Sequence, residues 1–92
     1  MSIVKQNLFI SKPKNAKQLE QFLSTQCQLS MQNPSCKLSD IYKCEEDINE
    51  FLLYEEWQDE NSYKAFQSST EYKNIDEKIK TVMVRKEFLR FD

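Results

Sequence analysis

The sequence predicts an α+β domain with the ferredoxin-like order β-α-β-β-α-β, in which helices cover one face of a four-stranded antiparallel sheet. Two observations predict this fold. Four segments rich in β-branched and aromatic residues indicate strands, and helical periodicity appears between the first and second and between the third and fourth. Because a chain of 92 residues has room for one modest core, we expect a single domain over residues 1–92.

The first strand and the first helix are predicted at residues 3–10 and 16–32. The polar group SKPKN closes the strand IVKQNLFI, and Asn15 is the expected helix cap. Asn33 before Pro34 ends the helix, because a residue that precedes proline disfavours the helical conformation. The helix carries an apolar stripe at three- and four-residue steps: Leu19, Phe22, Leu23, Gln26, Cys27 and Met31.

The segments CKLSDIYKC and EFLLYEEW are predicted to pair as an antiparallel hairpin across the polar turn EEDIN. Since the chain contains no Gly, Asp47 and Asn49 are the residues expected to adopt any left-handed conformation in that turn. The hairpin therefore supplies the second and third strands.

A second helix is predicted to begin at Asp59 and to carry Tyr63 and Phe66. Ser68 and Glu71 have the spacing of a capping box, which starts a further helical segment after a break near residue 69. That segment directs Tyr72, Ile75 and Ile79 inward. The final segment, TVMVRKEFLRF, is strongly β-forming and is predicted to be the last strand.

The composition excludes several kinds of site. The chain has no His, which removes the commonest metal ligand and general base and the usual haem ligand. Without Gly it cannot form a glycine-rich phosphate loop, and a net charge of −2 does not indicate a nucleic-acid partner. We therefore expect no metal and no bound cofactor.

The cysteine pattern indicates a reducing compartment. Cys27, Cys36 and Cys44 form no CxxC pair, and an odd number argues against a disulfide framework. The N-terminal apolar run is too short for a signal peptide, and no segment approaches the roughly 20 apolar residues of a membrane span. We expect a cytoplasmic protein that does not contact membranes.

The strands are apolar on both faces, although this chain can cover only one of them with helices. In the third strand, for example, Phe51 and Leu53 alternate with Leu52 and Tyr54. An uncovered apolar sheet face is an interaction surface, and a two-fold interface is the commonest kind. We therefore predict a homodimer that packs sheet against sheet.

One carboxylate interrupts an apolar row. With the two-residue period of a strand, Glu55 shares a face with Phe51, Leu53 and Trp57. This position raises the question of what the charged group does there.

The segments PSC at 34–36 and FLLYEEWQDENSYKAFQSSTEY at 51–72 resemble the antibiotic biosynthesis monooxygenase (ABM) domain family. Members have a Pro-Gly-Cys-like start to the second strand, an E-x-W end to the third, and a helix near H-x-x-S. The matching residues are Glu55 and Trp57 for the E-x-W pair, Ser69 for the serine and Cys36 for the cysteine. Ser35 stands in place of the usual Gly, and Phe66 in place of the His that faces the glutamate in many relatives.

The resemblance implies a dimeric α+β barrel with a small-molecule pocket between sheet and helices in each subunit. It also implies a cofactor-independent monooxygenase acting on a small aromatic substrate of the phenol or quinol type. Glu55 is then the candidate catalytic base, unless it is a solvated strand-end carboxylate or is bonded to Ser69 or a Tyr hydroxyl. The expected substrate-binding residues are Asn7, Trp57, Phe66, Ser69 and Arg85.

Each of these residues also has a structural interpretation. Trp57 and Phe66 can be core residues, Asn7 can face the rim or the dimer, and Arg85 can form a surface ion pair. The replacement of His by Phe66 supports an alternative function, a non-catalytic small-molecule-binding or scaffold relative. A haem-degrading branch of similar proteins uses a His that this chain lacks, so that activity is not expected.

Overall fold

The structure, a computed structural model, describes residues 2–89 and has a ferredoxin-like sheet as predicted. All neighbouring strands in the sheet are antiparallel, in the order β2-β3-β1-β4. The elements, in chain order, are β1 (Ile3–Ser11), α1 (Ala16–Gln32), β2 (Cys36–Lys43), β3 (Glu50–Trp57), α2 (Glu60–Gln67), α3 (Thr70–Val82) and β4 (Met83–Leu89).

The helices cover the sheet face that carries the odd-numbered residues of β3. That strand alternates strictly, with each odd residue buried and each even residue partly exposed. Neighbouring strands in register place Phe9 beside Phe51 and Ser39 beside Glu55 on this same face. The main core lies between this face and the helices and comprises Phe9, Leu19, Leu23, Phe51, Leu53, Ile75, Ile79 and Val82.

The stripe of α1 differs from the prediction at its C-terminal end. Ser30 is fully buried, whereas Met31 is half exposed. The buried positions Leu19, Leu23, Gln26 and Ser30 follow three- and four-residue steps without a gap, so helical geometry places Ser30 inward whatever its polarity. Asn15 occupies the cap position, but its side chain makes no capping hydrogen bond and instead donates to Gln18.

The helical segment after α2 is capped by Ser69, so the predicted cap at Ser68 is wrong. Ser68 has helical backbone angles, and its N–H bonds to the carbonyls of Lys64 and Ala65, which makes it part of the last turn of α2. Ser69 is extended, and its hydroxyl accepts the N–H of Tyr72 at 3.2 Å. The break itself falls at Ser69, as predicted.

Helix α3 continues into the region predicted as strand. Val82 lies three residues after Ile79 and joins the same core, so the inward stripe of the helix extends to Val82 and β4 begins at Met83. The predicted last strand also included Arg90 and Phe91, which lie outside the described residues.

The β2–β3 turn forms without a left-handed residue. No residue between 2 and 89 has a positive φ angle, so the expectation for Asp47 and Asn49 is wrong. Instead the Asp47 carboxylate accepts the Asn49 N–H at 2.9 Å, and the Asp47 carbonyl accepts the Glu50 N–H at 3.2 Å. Local hydrogen bonds of this kind replace the backbone freedom that glycine would supply.

Candidate functional site

Glu55 is a buried carboxylate held by two hydrogen bonds. Its side chain projects from β3 towards the helices, and only 2% of the residue is exposed. The Ser39 hydroxyl donates to Oε2 at 2.6 Å, and the Trp57 indole N–H donates to Oε1 at 3.2 Å. Glu55 is therefore neither solvated at the sheet rim nor bonded to Ser69, whose hydroxyl instead donates to the Phe66 carbonyl at 2.7 Å.

These two donors do not saturate the carboxylate. An ionised carboxylate offers about four lone-pair positions for hydrogen bonds. Ser39 and Trp57 occupy one position on each oxygen. A further O–H or N–H group that reached Glu55 would find an acceptor with a fixed orientation.

An aromatic cluster surrounds Trp57 on the helix side. The Trp57 ring is fully buried, and its centroid lies 4.9 Å from that of Phe66 and 5.6 Å from that of Tyr63. Phe66 in turn packs edge-on against Tyr72 at 5.3 Å. Cys36 completes this second core cluster. The rings hold α2 against the end of β3 that carries Glu55.

Asn7 enters the same region from β1. It is buried on the helix face, beside Leu53 of β3, and it lies near the Tyr63 hydroxyl. The Gln67 amide donates to that hydroxyl at 3.2 Å. Burial raises the pKa of Tyr63 well above its ordinary value, so the phenol stays protonated at physiological pH.

Two thiols lie near the carboxylate. Burial raises the pKa of Cys27 and of Cys36 to about 11, and the negative charge of Glu55 adds to the effect on both. The nearby Ser39 hydroxyl partly opposes the rise in the pKa of Cys27. Both groups are therefore protonated at neutral pH and are poor nucleophiles.

A cleft of about 350 Å³ opens on the outer side of Phe66. Phe66 lines this cleft and also packs against Trp57, whereas neither Trp57 nor Glu55 lines the cleft. The lining combines apolar and polar side chains and consists of Leu29, Gln32, Asn33, Ala65, Phe66, Ser69 and Glu71.

Arg85 lies away from these residues. Its neighbour in the β1–β4 ladder is Ile10, which belongs to the sheet face opposite the helices. The Arg85 Nε donates to the Glu87 carboxylate at 3.1 Å, in an exposed ion pair. The structure therefore brings Glu55, Trp57 and Phe66 together. Ser69 lines the cleft beside Phe66, and Asn7 lies near Tyr63. Arg85 does not belong to this group.

Sequence reasoning missed Ser39 and Lys5. Ser39 lies directly opposite Glu55 in the β2–β3 hairpin, and Lys5 lies directly opposite it in the β1–β3 pair. The hairpin register could have indicated that Ser39 lies opposite Glu55, because a short turn between two strands limits how they can pair. Lys5 shares the two-residue period of Ile3 and Phe9, but β1 and β3 are far apart in sequence and no local pattern shows that they pair.

Residues 2–78 match the sequence profile of the family described as antibiotic biosynthesis monooxygenase. No curated protein matches the chain closely enough to count as a relative. No helix within residues 2–89 is long and apolar enough to cross a membrane. In the same part of the chain, no three His, Cys, Asp or Glu side chains are grouped so that they could hold a metal ion.

Several solved structures share the fold. A candidate antibiotic biosynthesis monooxygenase from Nitrosomonas europaea superposes with a TM-score of 0.89 at 16% identity, over 96% of this chain and 86% of that one. Rv0793 from Mycobacterium tuberculosis superposes with a TM-score of 0.85 at 16% identity, over 98% of this chain and 94% of that one. A variant of SnoaB, a cofactor-independent oxygenase from Streptomyces nogalater, superposes with a TM-score of 0.85 at 8% identity, over 98% of this chain and 92% of that one.

The raised pKa values predict slow thiol chemistry. At neutral pH, Cys27 and Cys36 should react with iodoacetamide roughly a hundredfold more slowly than in the denatured protein, because only the thiolate reacts. The alkylation rates of both thiols should rise with pH until the pH reaches their pKa of about 11. Mass spectrometry of the alkylated peptides measures each rate.

The same experiment tests the charge of Glu55. Glu55→Gln should lower the pKa of Cys36, because the carboxylate raises it. Glu56→Gln is the matched control, since Glu56 lies on the opposite sheet face. Equal Cys36 rates in the two variants would show that no negative charge acts on this thiol from residue 55.

Proposed function

The chain belongs to the antibiotic biosynthesis monooxygenase family, and from that premise we propose that it oxidises a small phenol or quinol with molecular oxygen, without a bound cofactor. The observation that carries this proposal is the buried Glu55 carboxylate, which Ser39 and Trp57 orient at the edge of the aromatic cluster that contains Trp57. The shared fold with an oxygenase described as cofactor-independent is consistent with it.

Glu55 acts in this proposal as the general base. Each of its oxygens already accepts one hydrogen bond, and a remaining lone pair accepts the proton of the substrate hydroxyl. A well-placed base of this kind contributes about 10²–10⁴ in rate. Removing the proton raises the electron density of the aromatic ring, which is what oxygen requires of its reductant.

The overall reaction balances without a further electron donor. One phenol and one O₂ give one quinone and one water: one oxygen atom enters the ring and the other leaves as water with two hydrogens of the substrate. The substrate supplies all the electrons. The protein contributes a dry site, a fixed orientation and a proton acceptor.

The cleft beside Phe66 is the proposed substrate-binding site. Its volume of about 350 Å³ lies at the small end of ligand pockets, which suits a molecule of one or two rings. Ser69 lies at its rim, and Phe66 is the wall towards Trp57. Rotation of the Phe66 ring connects the cleft to Trp57 and Glu55, and Tyr63, which packs edge-on against Trp57, lies beside them with Asn7.

A second function is favoured by the packing of Phe66 itself. Its ring is buried and lies 4.9 Å from that of Trp57, so in this conformation the cleft ends before it reaches Glu55. A relative that keeps the cleft but not the reaction would bind a small apolar molecule as a scaffold. The oxygen-uptake experiment below separates the two functions.

We also propose a homodimer formed through the open sheet face. Val4 and Tyr42 are about half exposed on this face, and Leu8, Leu52 and Tyr42 line a cleft of about 310 Å³. Covering such a surface removes apolar area from water. Arg85 lies on the same face and thus at the proposed dimer seam.

A cytoplasmic location completes the proposal. All three cysteines, Cys27, Cys36 and Cys44, are free thiols within the described residues. Free thiols persist where the compartment is reducing. The free thiols therefore support a cytoplasmic location, and they do not bear on the proposed reaction.

Glu55→Gln should lower oxygen consumption with a reactive hydroquinone by about a hundredfold or more, because the amide cannot accept the proton. Glu56→Gln, with the same change on the other sheet face, should behave as wild type. An oxygen electrode measures the rates over a panel of one- and two-ring hydroquinones, corrected for spontaneous oxidation.

Equal rates for Glu55→Gln and wild type would refute the role of Glu55 as base. If the wild type consumes no oxygen with any member of the panel, Phe66→Ala distinguishes the reasons. Uptake restored by this variant would show that the ring blocks an intact site, whereas continued inactivity would refute the oxygenase proposal and favour the scaffold function.

The dimer is tested by sedimentation velocity. The wild type should sediment at twice the chain mass of 11.0 kDa, and Leu52→Lys should shift it towards the monomer, because a charge is then buried in an apolar interface. Ile48→Lys, at an exposed position in the β2–β3 turn, is the control and should not change the mass. A wild type that sediments as a monomer at micromolar concentration contradicts the sheet-to-sheet dimer.

A further inference from the structure

A further cavity, of about 260 Å³, lies where α1 begins and the β2–β3 hairpin turns. The residues that line it are Ala16, Lys17, Glu20, Lys43, Cys44, Ile48 and Phe51. None of them lines the cleft beside Phe66, so the two are separate sites.

Part of the cavity wall is apolar. Phe51 belongs to the main core and is almost fully buried. Ile48, by contrast, is 76% exposed, the largest exposed fraction of any large apolar side chain within residues 2–89. Packing inside the domain therefore does not account for an isoleucine at this position. An apolar group bound in the cavity would remove part of the Ile48 side chain from water.

The charged side chains of the cavity leave one positive charge unpaired. The Lys43 Nζ donates to the Glu20 carboxylate at 2.9 Å, and this ion pair joins β2 to α1. Lys17 lines the same cavity and makes no ion pair with another residue between 2 and 89. The acidic side chains at positions 45–47 of the hairpin turn are exposed, and none lines the cavity. The cavity therefore suits a ligand with an anionic group beside Lys17.

We infer that this cavity binds a small amphipathic carboxylate, with its carboxylate beside Lys17 and its apolar part against Ile48 and Phe51. A cavity of about 150 Å³ holds benzene. A volume of about 260 Å³ thus accepts a single ring or a short alkyl chain together with a carboxylate. The site takes no part in the proposed oxidation and does not depend on it.

Calorimetric titration with hexanoate tests the inference. Hexanoate should bind at least tenfold more tightly than acetate, which lacks the alkyl chain, because each buried methylene contributes about fourfold to the affinity. It should also bind about fivefold more tightly than hexanol, which has a similar chain and no charge.

Three variants identify the charged groups. Lys17→Met keeps the apolar stem and removes the charge, so it should weaken hexanoate binding about fivefold. Lys14→Met makes the same change at an exposed position outside the cavity and should bind as wild type. Glu20→Gln frees Lys43 as a second cation and should tighten binding about threefold. Because the ion pair of Glu20 is exposed, its loss should not unfold the protein.

The thiol of Cys44 shows where hexanoate binds, because this residue lines the cavity and is not in a disulfide. Saturating hexanoate should slow the alkylation of Cys44 by iodoacetamide at least threefold. Cys27 and Cys36 do not line the cavity, so their alkylation rates should not change. Mass spectrometry of the alkylated peptides measures all three rates in one sample.

Several results would overturn the inference. They are no binding at millimolar hexanoate, equal affinity for hexanoate and hexanol, unchanged affinity in Lys17→Met, and binding that leaves Cys44 unprotected. If Lys17→Met does not fold, weaker binding by Glu20→Gln would also overturn it. Oxygen uptake is measured separately, so failure of this site leaves the proposed oxidation intact, and failure of the oxidation leaves this site intact.

Discussion

The hydrogen bonds from Ser39 and Trp57 to the Glu55 carboxylate are the interaction on which the rest of this region depends. A carboxylate removed from water costs on the order of several kcal/mol unless donors compensate it. Here one donor, Ser39, comes from β2, and the other, Trp57, comes from β3 itself. The hydrogen bonds that stabilise the Glu55 charge therefore also fix the register of the β2–β3 hairpin and the orientation of the Trp57 ring. Tyr63 and Phe66 then pack on that ring, and through them α2 is held on the sheet.

Phe66, at the position where the resemblance implies a histidine, has a physical consequence in this arrangement. A phenyl ring cannot donate a hydrogen bond to Glu55, and the Phe66 ring packs on Trp57 instead. The carboxylate is stabilised from the opposite side, by Ser39 of the neighbouring strand. In the proposed site the acid therefore has no histidine partner, and access to it from the cleft requires the Phe66 ring to move. This is why both a working oxygenase and a binding scaffold are compatible with the same geometry.

Much of the fold and part of the site could be predicted from local patterns. The two-residue period correctly places Glu55 in the row of Phe51, Leu53 and Trp57. The capping-box spacing wrongly favoured Ser68 over Ser69 as the cap, because the choice depends on where α2 ends. Local patterns also could not rank Lys5 above Arg85, since both faces of the strands are apolar and only the pairing of β1 with β3 shows which cation shares the face of Glu55.

The most direct test of the central interaction is hydrogen exchange of the Trp57 indole, which gives a single NMR signal because the chain has one Trp. If its N–H donates to Glu55 in a water-free site, it should exchange only when the whole domain unfolds. Glu55→Gln should shift its resonance, whereas Glu56→Gln should not. An indole N–H that exchanges in the wild type as rapidly as in the unfolded chain would contradict the account.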